Sequence, residues 1–218
     1  FGIAMYLQFN VNKTFGIKDL FMSLANSLTF IRIFISPIFL LLYIAHDTFG
    51  ISAIVLPYVL IFLMSVSELS DAFDGYFARK YNQVTDLGKI FDPMADSIYR
   101  ISIFLTFIEP PVKLPILLVF IFIYRDSVIS TLRTICALRG FALAARFSGK
   151  LKAVIQAIAA FLVLVLMIPE SVGSITKDSL QYYSTWIVSV AAVYTIFSGI
   201  DYILANKDHI RKLLLNVK

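Results

Sequence analysis

The sequence predicts an all-α membrane protein with six transmembrane helices and both termini in the cytoplasm. Three observations lead to this prediction: the composition, six long apolar stretches, and an uneven distribution of Lys and Arg. Of the 218 residues, 59% are hydrophobic and 15% are charged, whereas average soluble domains carry about 25% charged residues. This composition excludes a disordered chain, a basic nucleic-acid-binding domain and a disulfide scaffold, since Cys136 is the only cysteine.

Each predicted span has the length that a bilayer requires, about 20 mostly apolar helical residues. Turn-forming residues separate the stretches at 47–50, 110–111 and 169–174. The fifth stretch is short, so we extend it back to Gly149. In chain order the apolar stretches are Ala25–Ile44, Ile51–Ala72, Ile90–Ile108, Leu114–Ala137, Val154–Ile168 and Trp186–Ala205.

Residues 1–24 form an arm of mixed polarity before a single six-helix domain at 25–218. Two interpretations of the arm stay open. It is either the remnant of an upstream segment, or an interfacial amphipathic helix that uses Ile17, Leu20, Phe21 and Leu24.

The positive charges predict the topology. Thirteen Lys and Arg residues fall in the N-terminal arm, the second and fourth connections and the C-terminal tail, against two, Lys113 and Lys177, in the opposite connections. Cytoplasmic loops carry the excess of Lys and Arg. We therefore expect both termini on the cytoplasmic side.

Four carboxylates stand where the second and third spans meet the cytoplasmic surface. Asp71 and Asp74 are three residues apart, and Asp92 and Asp96 are four apart. Each spacing places a pair on one face of a helix, and a short connection allows the two helices to be antiparallel neighbours. Any one of these aspartates taken singly is as easily a solvated helix-end residue.

Four converging carboxylates repel one another unless cations compensate them. Oxygen donors alone favour Mg²⁺, Mn²⁺ or Ca²⁺ over zinc, and two such metals suit the clamping of phosphate oxygens. Gly75 and Ala78 are small enough for a ligand to approach the helix backbone, and Arg79 is suited to contact a phosphate.

This segment resembles the signature of the CDP-alcohol phosphotransferase family, D-x2-D-G-x2-A-R-x8-G-x3-D-x3-D. All eight fixed positions occur over 26 residues without a gap, which is far more specific than a short glycine motif. The matching residues are Asp71, Asp74, Gly75, Ala78, Arg79, Gly88, Asp92 and Asp96.

The resemblance implies six helices around a polar cavity open to the cytoplasm and two divalent metal ions, Mg²⁺ or Mn²⁺. It implies that CDP-diacylglycerol binds through its diphosphate, that an acceptor hydroxyl attacks the lipid-linked phosphorus, and that CMP leaves. Asp96 would be a metal ligand or the general base. The remaining implied roles are metal ligation by Asp71, Asp74 and Asp92, cytidine contact by Gly75 and Ala78, and diphosphate contact by Arg79.

Further stretches resemble the branch of this family that uses glycerol 3-phosphate. Asn26, Thr29 and Arg32 match N-x2-T-x2-R and are assigned to CDP-lipid binding, although Asn26 and Thr29 are equally suited to cap a helix. Arg125, Arg133, Lys150 and Lys152 are assigned to the acceptor phosphate. Residues 198–202 resemble the last helix of this branch.

Two departures from that branch affect the acceptor assignment. Asp126 replaces the usual Glu, and Ala153 replaces the usual Thr. Arg125 is alternatively a structural partner of Asp126, and Lys150 and Lys152 alternatively follow the positive-inside rule or contact anionic lipid.

The expected partners are CDP-diacylglycerol, glycerol 3-phosphate, membrane lipid and a second copy in a homodimer, with no nucleic acid. The expected location is a bacterial inner membrane with the site facing the cytoplasm. Inositol phosphate or phosphatidylglycerol as acceptor, an ion or solute transporter, and a purely structural subunit remain as alternatives.

Overall fold

A computed structural model describes residues 24–80, 86–138, 146–207 and 210–211, and side chains within 32–70, 94–136, 146–207 and 210–211. The described chain forms helices and connecting turns and contains no strand. The prediction of an all-α fold with six helices is confirmed. These are α1 (Leu24–Ala45), α2 (Leu56–Lys80), α3 (Asp86–Thr106), α4 (Ile116–Leu138), α5 (Phe147–Ser171) and α6 (Lys177–Ala205).

Helix boundaries differ from the apolar stretches at several places. The second stretch was expected to begin at residue 51, but α2 begins at Leu56, after a turn at 53–55. Helix α6 begins nine residues before the expected Trp186, because Thr176 caps it by accepting a hydrogen bond from the Ser179 amide at 3.2 Å. Pro169 lies inside α5 and not in the following turn.

Contacts at the two ends of the bundle show that successive helices alternate in direction. At one end, the Tyr43 hydroxyl donates to the Glu109 carbonyl at 3.0 Å, and Gln181 Nε2 donates to the Lys113 carbonyl at 2.9 Å. At the other end, Arg146 at the start of α5 pairs with a carboxylate near the end of α6. Helices α1, α3 and α5 therefore run opposite to α2, α4 and α6.

Aromatic side chains form much of the packed interior. Phe39 of α1 meets Phe107 edge to face at a centroid distance of 6.4 Å, and Phe104 of α3 lies 4.6 Å from Phe122 of α4. All four rings are essentially inaccessible to solvent. These contacts join α1, α3 and α4 and leave the polar residues closer to the opposite end of the bundle.

The outward faces are also apolar. Phe34, Phe62 and Val193 are 65%, 66% and 68% exposed. By length and composition, α5 and α6 are apolar enough to cross a membrane, and α1 and α2 carry shorter apolar runs at Arg32–Ala45 and Leu56–Ser70.

Phe39→Ala should destabilise the protein, since it removes a fully buried ring that packs on Phe107. Truncation of a buried Phe costs about 3 kcal/mol or more, which predicts a fall of roughly 5–10 °C in the unfolding midpoint measured in detergent. Phe34→Ala on the exposed face of the same helix is the control and should leave the midpoint nearly unchanged. Equal shifts in the two variants would contradict the described packing.

Candidate active site

Charged side chains are buried at one level of this apolar bundle. Arg32 of α1, Asp126 of α4 and Lys152 of α5 are 2%, 7% and 6% exposed. Buried charges are costly unless they are paired and hydrogen-bonded. Their partners therefore show how the site is organised.

Arg32 forms an ion pair with Asp96 and so joins α1 to α3. The Asp96 side chain remains 31% exposed, so part of its carboxylate is accessible to a ligand. One turn farther along α1, Ser36 Oγ donates to the backbone carbonyl of Arg32 at 3.0 Å. The predicted general base thus has a buried cation beside it.

Asp126 is the centre of the second cluster. Its carboxylate accepts hydrogen bonds from Lys152 Nζ at 2.7 and 2.9 Å and from Arg125 Nη1 at 3.0 Å. Ser97 Oγ of α3 donates to Asp126 Oδ2 at 3.4 Å. One carboxylate therefore ties together α3, α4 and α5.

Among the described side chains of this cluster, the cations outnumber the carboxylates. Lys152 and Arg125 share the one carboxylate of Asp126. Arg100 adds a cation beside Lys152 and donates to the Ala153 carbonyl. Such a group is suited to bind a dianion.

Arg133 lies farther along α4, against α6. Its guanidinium carbon is 5.2 Å from the centre of the Tyr202 ring, and Nε donates to the Tyr202 hydroxyl at 3.2 Å. Arg146 pairs with Asp201 one residue earlier on α6. Lys150 is exposed on α5 and contributes no side-chain contact to the described cluster.

The structure therefore brings together Arg125 and Lys152, two of the four residues predicted to bind the acceptor phosphate. Arg133 is placed beside Tyr202, and Lys150 lies at the surface. Asn26 and Thr29 fall within α1, after its first residue Leu24, and not at its N-cap position. Their side chains, and those of Asp71, Asp74, Gly75, Ala78, Arg79 and Asp92, lie outside the described side chains.

The acidic motif keeps its helical spacing, because Asp71 and Asp74 belong to α2, and Asp92 and Asp96 to α3. Helix α1 packs against both α2 and α3, and the buried Tyr99 side chain, one turn after Asp96, extends toward Ser67 and Glu68 of α2. Among the described side chains no three Asp, Glu, His or Cys residues form a metal-binding group. The motif offers only carboxylate oxygens as ligands, and such ligands suit Mg²⁺ or Mn²⁺.

Three further polar residues were not assigned to the site from the sequence. Arg100 follows Asp96 by four residues, and Gln156 follows Lys152 by four, so helical spacing alone was a usable signal. Gln156 Nε2 donates to Thr195 Oγ1 at 3.2 Å between α5 and α6. The third residue, Tyr202, lies in the segment 198–202 that resembles the last helix of the glycerol-3-phosphate branch, and that resemblance was its signal in the sequence.

An acidic motif on two helices, together with a cation-rich cluster on neighbouring helices, is an arrangement suited to a protein that binds phosphate groups. The chain belongs to the CDP-alcohol phosphatidyltransferase family, whose model matches residues 22–197.

Individual members of the family are similar to this chain over most of its length. A protein of Rickettsia typhi is 32% identical over 189 residues, which cover 86% of this chain and 98% of the relative. A protein of Bacillus subtilis is 29% identical over 197 residues, covering 87% and 97%. One from Mycoplasma genitalium is 31% identical, covering 82% and 81%. All three are named CDP-diacylglycerol–glycerol-3-phosphate 3-phosphatidyltransferase.

Asp126→Ala should lower the unfolding midpoint in detergent, because Lys152 and Arg125 would be left buried without their carboxylate. Removal of one partner of a buried pair costs about 3–5 kcal/mol. The double variant Asp126→Ala/Lys152→Met removes one uncompensated cation and should recover part of this loss. If the double variant is less stable than Asp126→Ala, the pairing does not have this role.

Proposed function

We propose that this protein transfers the phosphatidyl group of CDP-diacylglycerol to the hydroxyl of glycerol 3-phosphate, giving phosphatidylglycerophosphate and CMP. The single observation that carries the acceptor assignment is the pairing of Lys152 and Arg125 with the buried Asp126 carboxylate, with Arg100 close to Lys152. Family membership and the names of the relatives support the reaction itself.

The charge balance of the cluster favours an acceptor that carries a phosphate. A phosphate monoester has a charge of about −1.5 to −2 at pH 7, and it would offset the positive charge of Arg100, Arg125 and Lys152 beside Asp126. Serine or choline as acceptor would leave these cations uncompensated. Arg133, Lys150 and Lys152 complete the proposed acceptor side together with Arg125.

The other side of the site is proposed to hold the CDP-lipid. Arg79 would contact the diphosphate, and Gly75 and Ala78 would border the cytidine, with Asn26, Thr29 and Arg32 close by. Asp71, Asp74, Asp92 and Asp96 would hold two divalent ions, Mg²⁺ or Mn²⁺. Bound there, the ions would neutralise phosphate charge and promote ionisation of a nearby hydroxyl.

Asp96 is the proposed proton acceptor. Its carboxylate takes the proton of the acceptor hydroxyl while that oxygen forms a bond to the lipid-linked phosphorus and the bond to CMP breaks. Arg32 holds Asp96 in place from α1. The residues of the chain therefore orient both substrates and receive the proton.

The proposed architecture is six transmembrane helices, residues 25–218, around a polar cavity open to the cytoplasm. The alternation of helix direction supports it, as do the large apolar side chains on the outer faces, since soluble monomers rarely expose such surfaces. The Lys and Arg distribution supports cytoplasmic termini. The bacterial relatives favour an inner membrane, and a homodimer stays part of the proposal.

An acceptor panel tests the proposed reaction. Purified protein in detergent, with CDP-diacylglycerol and Mg²⁺ or Mn²⁺, should release CMP with glycerol 3-phosphate and much more slowly with inositol phosphate, serine or phosphatidylglycerol. The lipid product is identified by mass spectrometry. Preference for another acceptor overturns the acceptor assignment, and no acceptor-dependent CMP release with any of them favours a transporter or structural subunit.

Asp71→Asn and Asp92→Asn should each abolish most of this activity, because each removes a proposed metal-ligand charge. A loss of several kcal/mol in transition-state stabilisation corresponds to roughly 10²–10³-fold in rate. Asp178→Asn, exposed in the first turn of α6 at the opposite end, is the control and should keep full activity. Full activity in Asp71→Asn or Asp92→Asn, with the unfolding midpoint preserved, would remove the metal-site proposal.

A further inference from the structure

One turn of α6, Gly199–Tyr202, contacts three arginines that come from other parts of the chain. Arg125 and Arg133 belong to α4, and Arg146 immediately precedes α5. Gly199, Asp201 and Tyr202 have no role of their own in the proposed chemistry. Their contacts nevertheless determine where the three arginine side chains lie.

Tyr202 positions Arg133 in two ways. Its ring lies under the guanidinium at 5.2 Å, and its hydroxyl accepts from Nε at 3.2 Å. The ring is 1% exposed, so it is itself fixed by the surrounding helices. Tyr202 therefore contacts one face of the guanidinium and its Nε–H group. The remaining N–H groups of Arg133 can still donate to another acceptor.

Gly199 positions Arg125 by leaving space. A Cβ atom at residue 199 would lie 3.2 Å from Arg125 Cγ, and one at Gly149 would lie 3.7 Å from Nη2. The Arg125 side chain therefore runs directly along the backbone of α6. Arg125 Nε is buried without a hydrogen-bond partner in the described part of the chain, so this arginine retains donor capacity.

Asp201 positions Arg146 through two hydrogen bonds, Nε to Oδ2 at 2.8 Å and Nη2 to Oδ1 at 3.1 Å. Ser148 Oγ donates to the same carboxylate at 2.5 Å. This bidentate pair ties the start of α5 to α6. It thereby fixes the helix that carries Lys152 two turns farther along.

We propose that Gly199, Asp201 and Tyr202 form a positioning platform that presets Arg125, Arg133 and the helix of Lys152 around the acceptor phosphate. The inference rests on the proposed function, because it assigns these residues an effect on acceptor binding. Presetting matters since a long side chain loses conformational freedom when it binds a ligand. A guanidinium already held in its bound position avoids that loss, and the platform therefore acts on the KM for the acceptor.

Tyr202→Leu tests the platform through separate KM values. It should raise the KM for glycerol 3-phosphate about tenfold, within the range measured for cation–π contacts, and leave the KM for CDP-diacylglycerol within twofold. Tyr202→Phe keeps the ring and should raise the acceptor KM only about two- to threefold. Combined with Arg133→Ala, Tyr202→Leu should add little further, since it acts through Arg133.

A second variant covers the case in which Tyr202→Leu does not fold. Asp201 is 26% exposed, and Asp201→Asn should raise the acceptor KM several-fold, with recovery in Asp201→Glu. The platform is overturned if a folded variant changes both KM values equally or neither, or if Tyr202→Leu and Arg133→Ala are fully additive. Absence of product with glycerol 3-phosphate in the unaltered protein would instead overturn the proposed function.

Discussion

The Asp126 carboxylate is the constraint on which the organisation of the site depends. Cations buried in an apolar bundle require a counter-charge, and Asp126 provides it for Lys152 and Arg125 at hydrogen-bonding distance. Because its donors come from α3, α4 and α5, the same interaction fixes how these helices pack. Among the described side chains, its single negative charge is shared by two cations. Pairing holds the cluster together, and the remaining positive charge provides affinity for an anion.

The six helices could be predicted from the sequence because each contains a long apolar stretch, but their boundaries could not. Apolar stretches report which residues avoid water, whereas helix ends depend on local backbone geometry and capping. Helix α6 starts at its Thr176 cap, well before the apolar part begins. Helix α5 continues through Pro169, although proline is a frequent turn residue. The directions of the helices followed from the alternation that short connections require.

The sequence predicted which residues belong to the candidate site better than it predicted how they are arranged in space. Lys150 and Lys152 looked equivalent in the sequence, yet one is exposed and the other is buried against Asp126. Side chains two positions apart on a helix point about 200° away from each other. Only the packing of the helix decides which of the two faces inward. The pair between Arg146 and Asp201 joins residues 55 apart in sequence. Helical spacing cannot indicate such a contact, because it relates residues within one helix only.

The two ends of the bundle are held together by different kinds of interaction, and this division suits a site at one of them. At the Tyr43 end, neutral side chains bond to the backbone carbonyls of Glu109 and Lys113, and these bonds do not depend on any ligand. From the middle of α4 toward the other end, the helices are joined by ion pairs to the carboxylates of Asp126 and Asp201. An arriving phosphate is chemically similar to those carboxylates, so it can share their cations while the neutral end keeps the helices in register.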